Sequence, residues 1–71
     1  MSEIKSSTTE ALERLVDASS LWCVVEALAV IADEKADHIR TNWQDSRTAA
    51  PWKEASRVLN RATARLQKIG V

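Results

Sequence analysis

The sequence predicts an all-α protein: an antiparallel helical hairpin, at about residues 20–44 and 49–69, preceded by a short helix at about residues 8–17. Three observations carry this. Gly70 and Pro51 are the only glycine and proline in 71 residues, so almost nothing punctuates the chain. Ala, Leu, Glu, Lys and Arg, the strong helix formers, dominate it. Apolar residues recur every three or four positions and no stretch alternates, which is the helical period rather than the strand period. The architecture this allows is a three-helix bundle or a dimer of helical hairpins, with residues 1–7 a disordered tail and 8–71 one small domain.

The first helix opens at Ser7-Thr8-Thr9-Glu10, which reads as a capping box: the Ser7 hydroxyl accepts from the Glu10 amide and the Glu10 carboxylate reaches back. Leu12, Leu15 and Val16 form its apolar stripe. At about 100° per residue that stripe points almost opposite to the next one, Leu21, Val25, Leu28, Ala32, Ala36, Ile39 and Trp43. A single straight helix would therefore face two ways, and the break falls at Asp17, Ser19 and Ser20, residues that favour caps and turns. The second helix spans about 24 residues, or roughly 36 Å.

The third helix is expected to start near Thr48 to Pro51, since proline suits a first turn, and to end at Gly70 as its C-terminal cap. Within it Trp52, Ala55, Leu59, Ala62, Leu66 and Ile69 alternate spacings of three and four, a heptad seam that should face the second helix. The short link at residues 45–50 makes the two helices antiparallel, with Trp43 and Trp52 packed at the closed end. Val30 and Trp22 fall off the second helix's main stripe, and the first helix is expected to fold back over them; failing that, they form an exposed apolar association patch.

Composition bounds the function. Seventy-one residues make one domain with a small core. Ordering the chain costs on the order of 100 kcal/mol, which burial in so short a chain barely offsets, so self-association or a partner is expected. The single cysteine, Cys23, excludes an internal disulfide and a multi-cysteine metal site and fits a reducing, cytoplasmic setting. Met1 to Ser7 does not have the pattern of a signal peptide. The longest apolar run, Leu21 to Ala32, contains Glu26 and falls short of the about 20 residues a membrane span needs. No membrane partner is expected.

No catalytic constellation survives inspection. Glu34 and His38 share a helical face, and Glu10, Glu13 and Asp17 of the first helix could add ligands. His38 is the only histidine, however, and carboxylate metal centres draw several ligands from two or more helices. Cys23 lies fifteen residues, about 22 Å, from His38 on one helix, so the two cannot form a nucleophile–base pair. One terminal glycine provides no phosphate loop. The chain is accordingly expected to be no enzyme, with no metal, cofactor or small-molecule substrate.

The charge pattern says more. Ten basic and ten acidic residues cancel, yet residues 1–39 hold eight acids and three bases, a net −5, while residues 51–71 hold five bases and one acid, a net +4. Lys53, Arg57, Arg61, Arg65 and Lys68 make one basic stripe on the third helix, mildly self-repelling unless an anion lies alongside. That anion is the acidic side of the second helix, a nucleic acid, or an acidic partner. The leading functional expectation is a non-enzymatic protein-binding module, a small stoichiometric inhibitor or adaptor that occludes a surface of a larger complex. Its binding residues would be Trp22, Glu26, Val30, Asp33, Glu34 and Asp37. Phage and mobile-element accessory proteins, including anti-defence inhibitors, are often chains of this size and class, an association of size alone. The alternatives are a nucleic-acid-binding regulator using the basic stripe, and a purely structural homodimer.

Overall fold

The computed structural model describes residues 6–71. Three helices follow one another: α1 (Ser7–Ala18), α2 (Leu21–Trp43) and α3 (Ser46–Ile69). The fold is the predicted one, a hairpin of α2 and α3 with a short N-terminal helix. Among the described residues no helix is long and apolar enough to cross a membrane.

Each boundary has a local cause. The α1 cap is Ser6, one residue earlier than the capping-box reading. Its Oγ accepts from the Thr9 amide at 3.1 Å and its carbonyl accepts from the Glu10 amide at 3.0 Å. Thr9 therefore holds the position expected of Glu10, and Ser6 and Ser7 belong to the helix start rather than to a tail; residues 1–5 of that expected tail lie outside the described residues. Ser19 closes α1, its amide and hydroxyl both donating to the Leu15 carbonyl at 3.1 and 2.9 Å.

Ser20, in extended conformation, caps α2 by accepting from the Cys23 amide at 3.2 Å, and its carbonyl takes the Val24 amide at 3.3 Å. The first two amides of α2, those of Leu21 and Trp22, donate to the carbonyl of Val71 at 2.6 and 3.4 Å. The first three amides of α2, which a helix start leaves open, are thus satisfied, two of them by the residue that follows the Gly70 cap of α3.

The link between α2 and α3 is only Gln44 and Asp45. Gln44 takes the left-handed conformation (φ 51°, ψ 40°) that reverses the chain, and Asp45 caps α3 by accepting from the Thr48 amide at 3.1 Å and from its hydroxyl. This cap starts α3 before the predicted Thr48 to Pro51. Pro51 consequently sits in the second turn, where its missing N–H leaves the Arg47 carbonyl without the usual partner. Gly70, at φ 94°, ends α3, its amide bonding to the Leu66 carbonyl at 2.9 Å.

The hairpin closes on small side chains. Ala29, Ala32 and Ala36 of α2 meet Ala49, Ser56 and Thr63 of α3, and these are the buried residues; no large side chain is fully buried among the described residues. Ala49, Ser56 and Thr63 are spaced by seven, a true heptad position. The Ser56 hydroxyl donates across the seam to the Ala29 carbonyl at 3.0 Å, while Thr63 bonds to the Leu59 carbonyl in its own helix at 2.9 Å.

The predicted seam of α3 is rotated off this contact. Ala55, Leu59, Ala62 and Leu66 are half-buried beside it, and Trp52 and Ile69 are exposed. On α2 the predicted stripe is right for Ala32 and Ala36, but Leu21 and Leu28 are exposed and Trp43, at 72% exposure, packs in no closed-end core with Trp52. The reason is steric: small residues let the backbones approach, and bulky ones are displaced to the flanks.

α1 packs on α2 and not on α3. Leu12 and Leu15 face Cys23, Val24, Ala27, Leu28 and Ile31 across an open apolar groove of about 280 Å³. The predicted fold-back over Val30 does not occur, and Val30 stays 52% exposed. Ser19, at φ −132° and ψ −93°, turns the chain toward the other flank of α2, where the denser apolar run lies.

Two predictions follow from the caps and the seam. Ala32→Leu should overpack the helix contact and lower stability by about 1–3 kcal/mol, read as a lower urea midpoint; an unchanged midpoint would place the seam elsewhere. The Thr48 hydroxyl and amide, donating to Asp45, hold its carboxyl below the ordinary value of 3.8. Its capping contribution is therefore complete above pH 3.8 and lost as pH falls through the lowered value. Asp45→Asn, which keeps the accepting oxygen, should flatten the acid limb of a stability-against-pH curve, and a limb unchanged from wild type would refute this.

Candidate functional site

The charged residues singled out in the sequence occupy one flank of the hairpin and the outer face of α3. The flank is identified by Lys53, whose Nζ lies 2.6 Å from Asp33 Oδ1 and 3.8 Å from Asp37 Oδ1 across the helix pair. Asp33 and Asp37 are one helical turn apart, so a single lysine on α3 reaches both. The hydrogen bond from Lys53 to Asp33 raises the lysine's pKa above its ordinary value. Arg40 joins from within α2, with its guanidinium 2.9 Å from Asp37. The basic stripe and the acidic face therefore meet, but at one point only.

The remaining members stay open. Glu26 and Glu34 are exposed and form no ion pair among the described residues. They lie one turn before and one turn after the exposed Val30, so the three make a short acidic–apolar–acidic line. Trp22 is half-buried at its start. On α3, Arg57 pairs with Glu54 of its own helix at 2.6 Å. Arg61, Arg65 and Lys68 are exposed without ion pairs among the described residues, and Arg65, Lys68 and Ile69 line a shallow depression of about 410 Å³.

The acid–base candidates separate. His38 Nδ1 is 2.9 Å from the side-chain nitrogen of Asn42, which also donates to the His38 carbonyl at 3.1 Å. Cys23 is half-buried and lines the apolar groove under α1. Among the described residues no group of three or more His, Cys, Asp or Glu could hold a metal ion.

What sequence reasoning missed is the opposite flank. Leu15, Leu28 and Ile31 are 55%, 38% and 48% exposed and continue toward the half-buried Leu59 and Leu66 of α3. The signal was available: α2 carries Val24, Ala27, Leu28 and Ile31 in addition to its alanine seam, so apolar residues cover more of its circumference than one neighbouring helix can bury. No family model, curated protein or solved structure matches this chain.

Proposed function

We propose that the chain is a non-enzymatic protein-binding module that occludes a basic surface of a larger protein with the acidic edge of α2. The observation that supports it most is the line Glu26, Val30, Glu34. An exposed valine is bracketed at one-turn spacing by two carboxylates that no cation of the described chain neutralises. A charged rim around an apolar contact is the composition of a docking patch: the charges select and steer the partner and the apolar centre is desolvated. Asp33 and Asp37 extend the field of this edge, although Lys53 offsets part of their charge. The stoichiometric inhibitor or adaptor role is the reading of this surface.

A second reading rests on Arg61, Arg65 and Lys68. Three cations without ion pairs among the described residues, on the outward face of one helix, suit a phosphate backbone, which takes positively charged side chains without sequence readout.

Charge reversal separates the two. Affinity capture from nuclease-treated native lysate, followed by mass spectrometry, should recover a protein partner that Glu26→Lys/Glu34→Lys loses while its circular dichroism stays helical. A partner retained by that variant would remove the acidic edge from the interface. If α3 binds nucleic acid, affinity for random duplex DNA should fall steeply with salt and vanish in Arg61→Glu/Arg65→Glu; absence of binding at low salt ends that reading.

A further inference from the structure

The apolar flank opposite the Lys53 pairs is the largest unexplained feature of the molecule. The chain exposes 5580 Å², whereas a compact monomer of its 7.9 kDa exposes about 4400 Å². Granting residues 1–5 the whole surface of unfolded chain, at about 1.45 Å² per dalton, still leaves several hundred Å² in excess. That is the order of what one partner contributes to a standard interface, about 800 Å². The interior consists of four alanines, Ser56 and Thr63, with no large side chain fully buried among the described residues. Leu12, Leu15, Leu28 and Ile31, side chains of the kind that form the core of a self-sufficient domain, line an open groove instead.

We propose that a second copy of the chain covers this flank, related by a two-fold axis running along α2, so that α1 of each protomer lies against α3 of the other. Three observations favour a second copy over an unrelated partner. The cover supplies core that the fold itself lacks, and another copy is present wherever the chain is, at matching concentration. The formal charge is zero, so copies approach without net repulsion. The charges are also arranged for this pairing: α1 is acidic and touches no part of α3 in its own chain, while Arg61, Arg65 and Lys68 of α3 are without ion pairs among the described residues. An axis along the helices carries α1 of one protomer across to α3 of its partner, where Glu10 and Asp17 can meet those cations. Ile69 and Val58, exposed at 70% and 48% on the outer side of α3, are covered by the same movement. Glu26, Val30 and Glu34 lie on the other flank and stay free, so the dimer and the proposed partner surface stand or fall separately.

Sedimentation equilibrium and thermal melts over about a hundredfold range of micromolar concentration test this. The wild-type chain should show about twice its 7.9 kDa mass and a melting temperature that rises with concentration. Leu28→Glu, at a position that a lone protomer already leaves exposed, should give the mass of one chain. Should that variant fail to fold, charge reversal gives an independent result. Arg61→Glu/Arg65→Glu should raise the dimer dissociation constant about tenfold or more at low salt, and adding Glu10→Lys/Asp17→Lys should restore it. A wild-type chain with the mass of one protomer at every concentration overturns the proposal. So does a dimer that Leu28→Glu leaves intact, or one that charge reversal weakens without recovery in the combined variant.

Discussion

The close contact of α2 with α3 along Ala29, Ala32, Ala36, Ala49, Ser56 and Thr63 is the constraint on which the rest of the molecule depends. Side chains of this size let two helices approach until one backbone is within reach of a hydroxyl on the other, and the Ser56 bond to the Ala29 carbonyl is the direct sign of that proximity. A serine at a buried seam would be costly if its hydroxyl were idle; paired with a carbonyl that remains in its own helical ladder, it is satisfied without disturbing either helix. The short link through Gln44 and Asp45 follows from the same proximity, because helices this close are bridged by two residues.

Close approach also decides where the large side chains go. With the seam filled by alanine and hydroxyl groups, the leucines, isoleucines and tryptophans cannot enter it and divide between the flanks. One flank holds the charges, where Lys53 reaches across to Asp33 and Asp37. The other holds the apolar side chains, continued by the groove under α1. The hairpin is thereby amphipathic across its width, not between inside and outside as a larger domain would be. Exposed ion pairs add little to stability, so the charged flank chiefly sets register and recognition, while the apolar flank holds burial not yet realised within one chain.

Much of this was legible in the sequence. The number of helices, their order, the break at Ser19 and Ser20, and the Gly70 cap all follow from local chemistry that acts within a few residues. The errors have one physical origin. Assigning the seam by hydrophobicity selects Trp52, Leu59, Leu66 and Ile69, whereas close packing selects by volume, and Ser56 and Thr63 are polar residues that a hydropathy pattern counts against a core. The heptad of Ala49, Ser56 and Thr63, facing an alanine row on α2, was the available signal. The late placement of the α3 start has a similar source: Pro51 suggested a first turn, and the stronger cap at Asp45 overrode it. The pairing of Lys53 with Asp33 depends on the relative rotation of two helices, which no single-helix pattern contains.

The bonds from the Leu21 and Trp22 amides to the Val71 carbonyl give the chain an internal hierarchy of opening. They fasten the start of α2 to the end of α3, so the hairpin is held at both ends, by a two-residue turn at one and by this clamp at the other. α1 lies outside the clamp and is attached through Ser19 and one shallow apolar contact. It can therefore detach as a unit without loosening the helix it leads into, because every amide in the first turn of α2 keeps its acceptor when α1 leaves. In a hydrogen-exchange experiment at a dilution that keeps protomers apart, the amides of α1 would belong to a low-energy cooperative unit, and those of Leu21 and Trp22 would exchange with the hairpin despite their place at a helix terminus, where fraying is the rule.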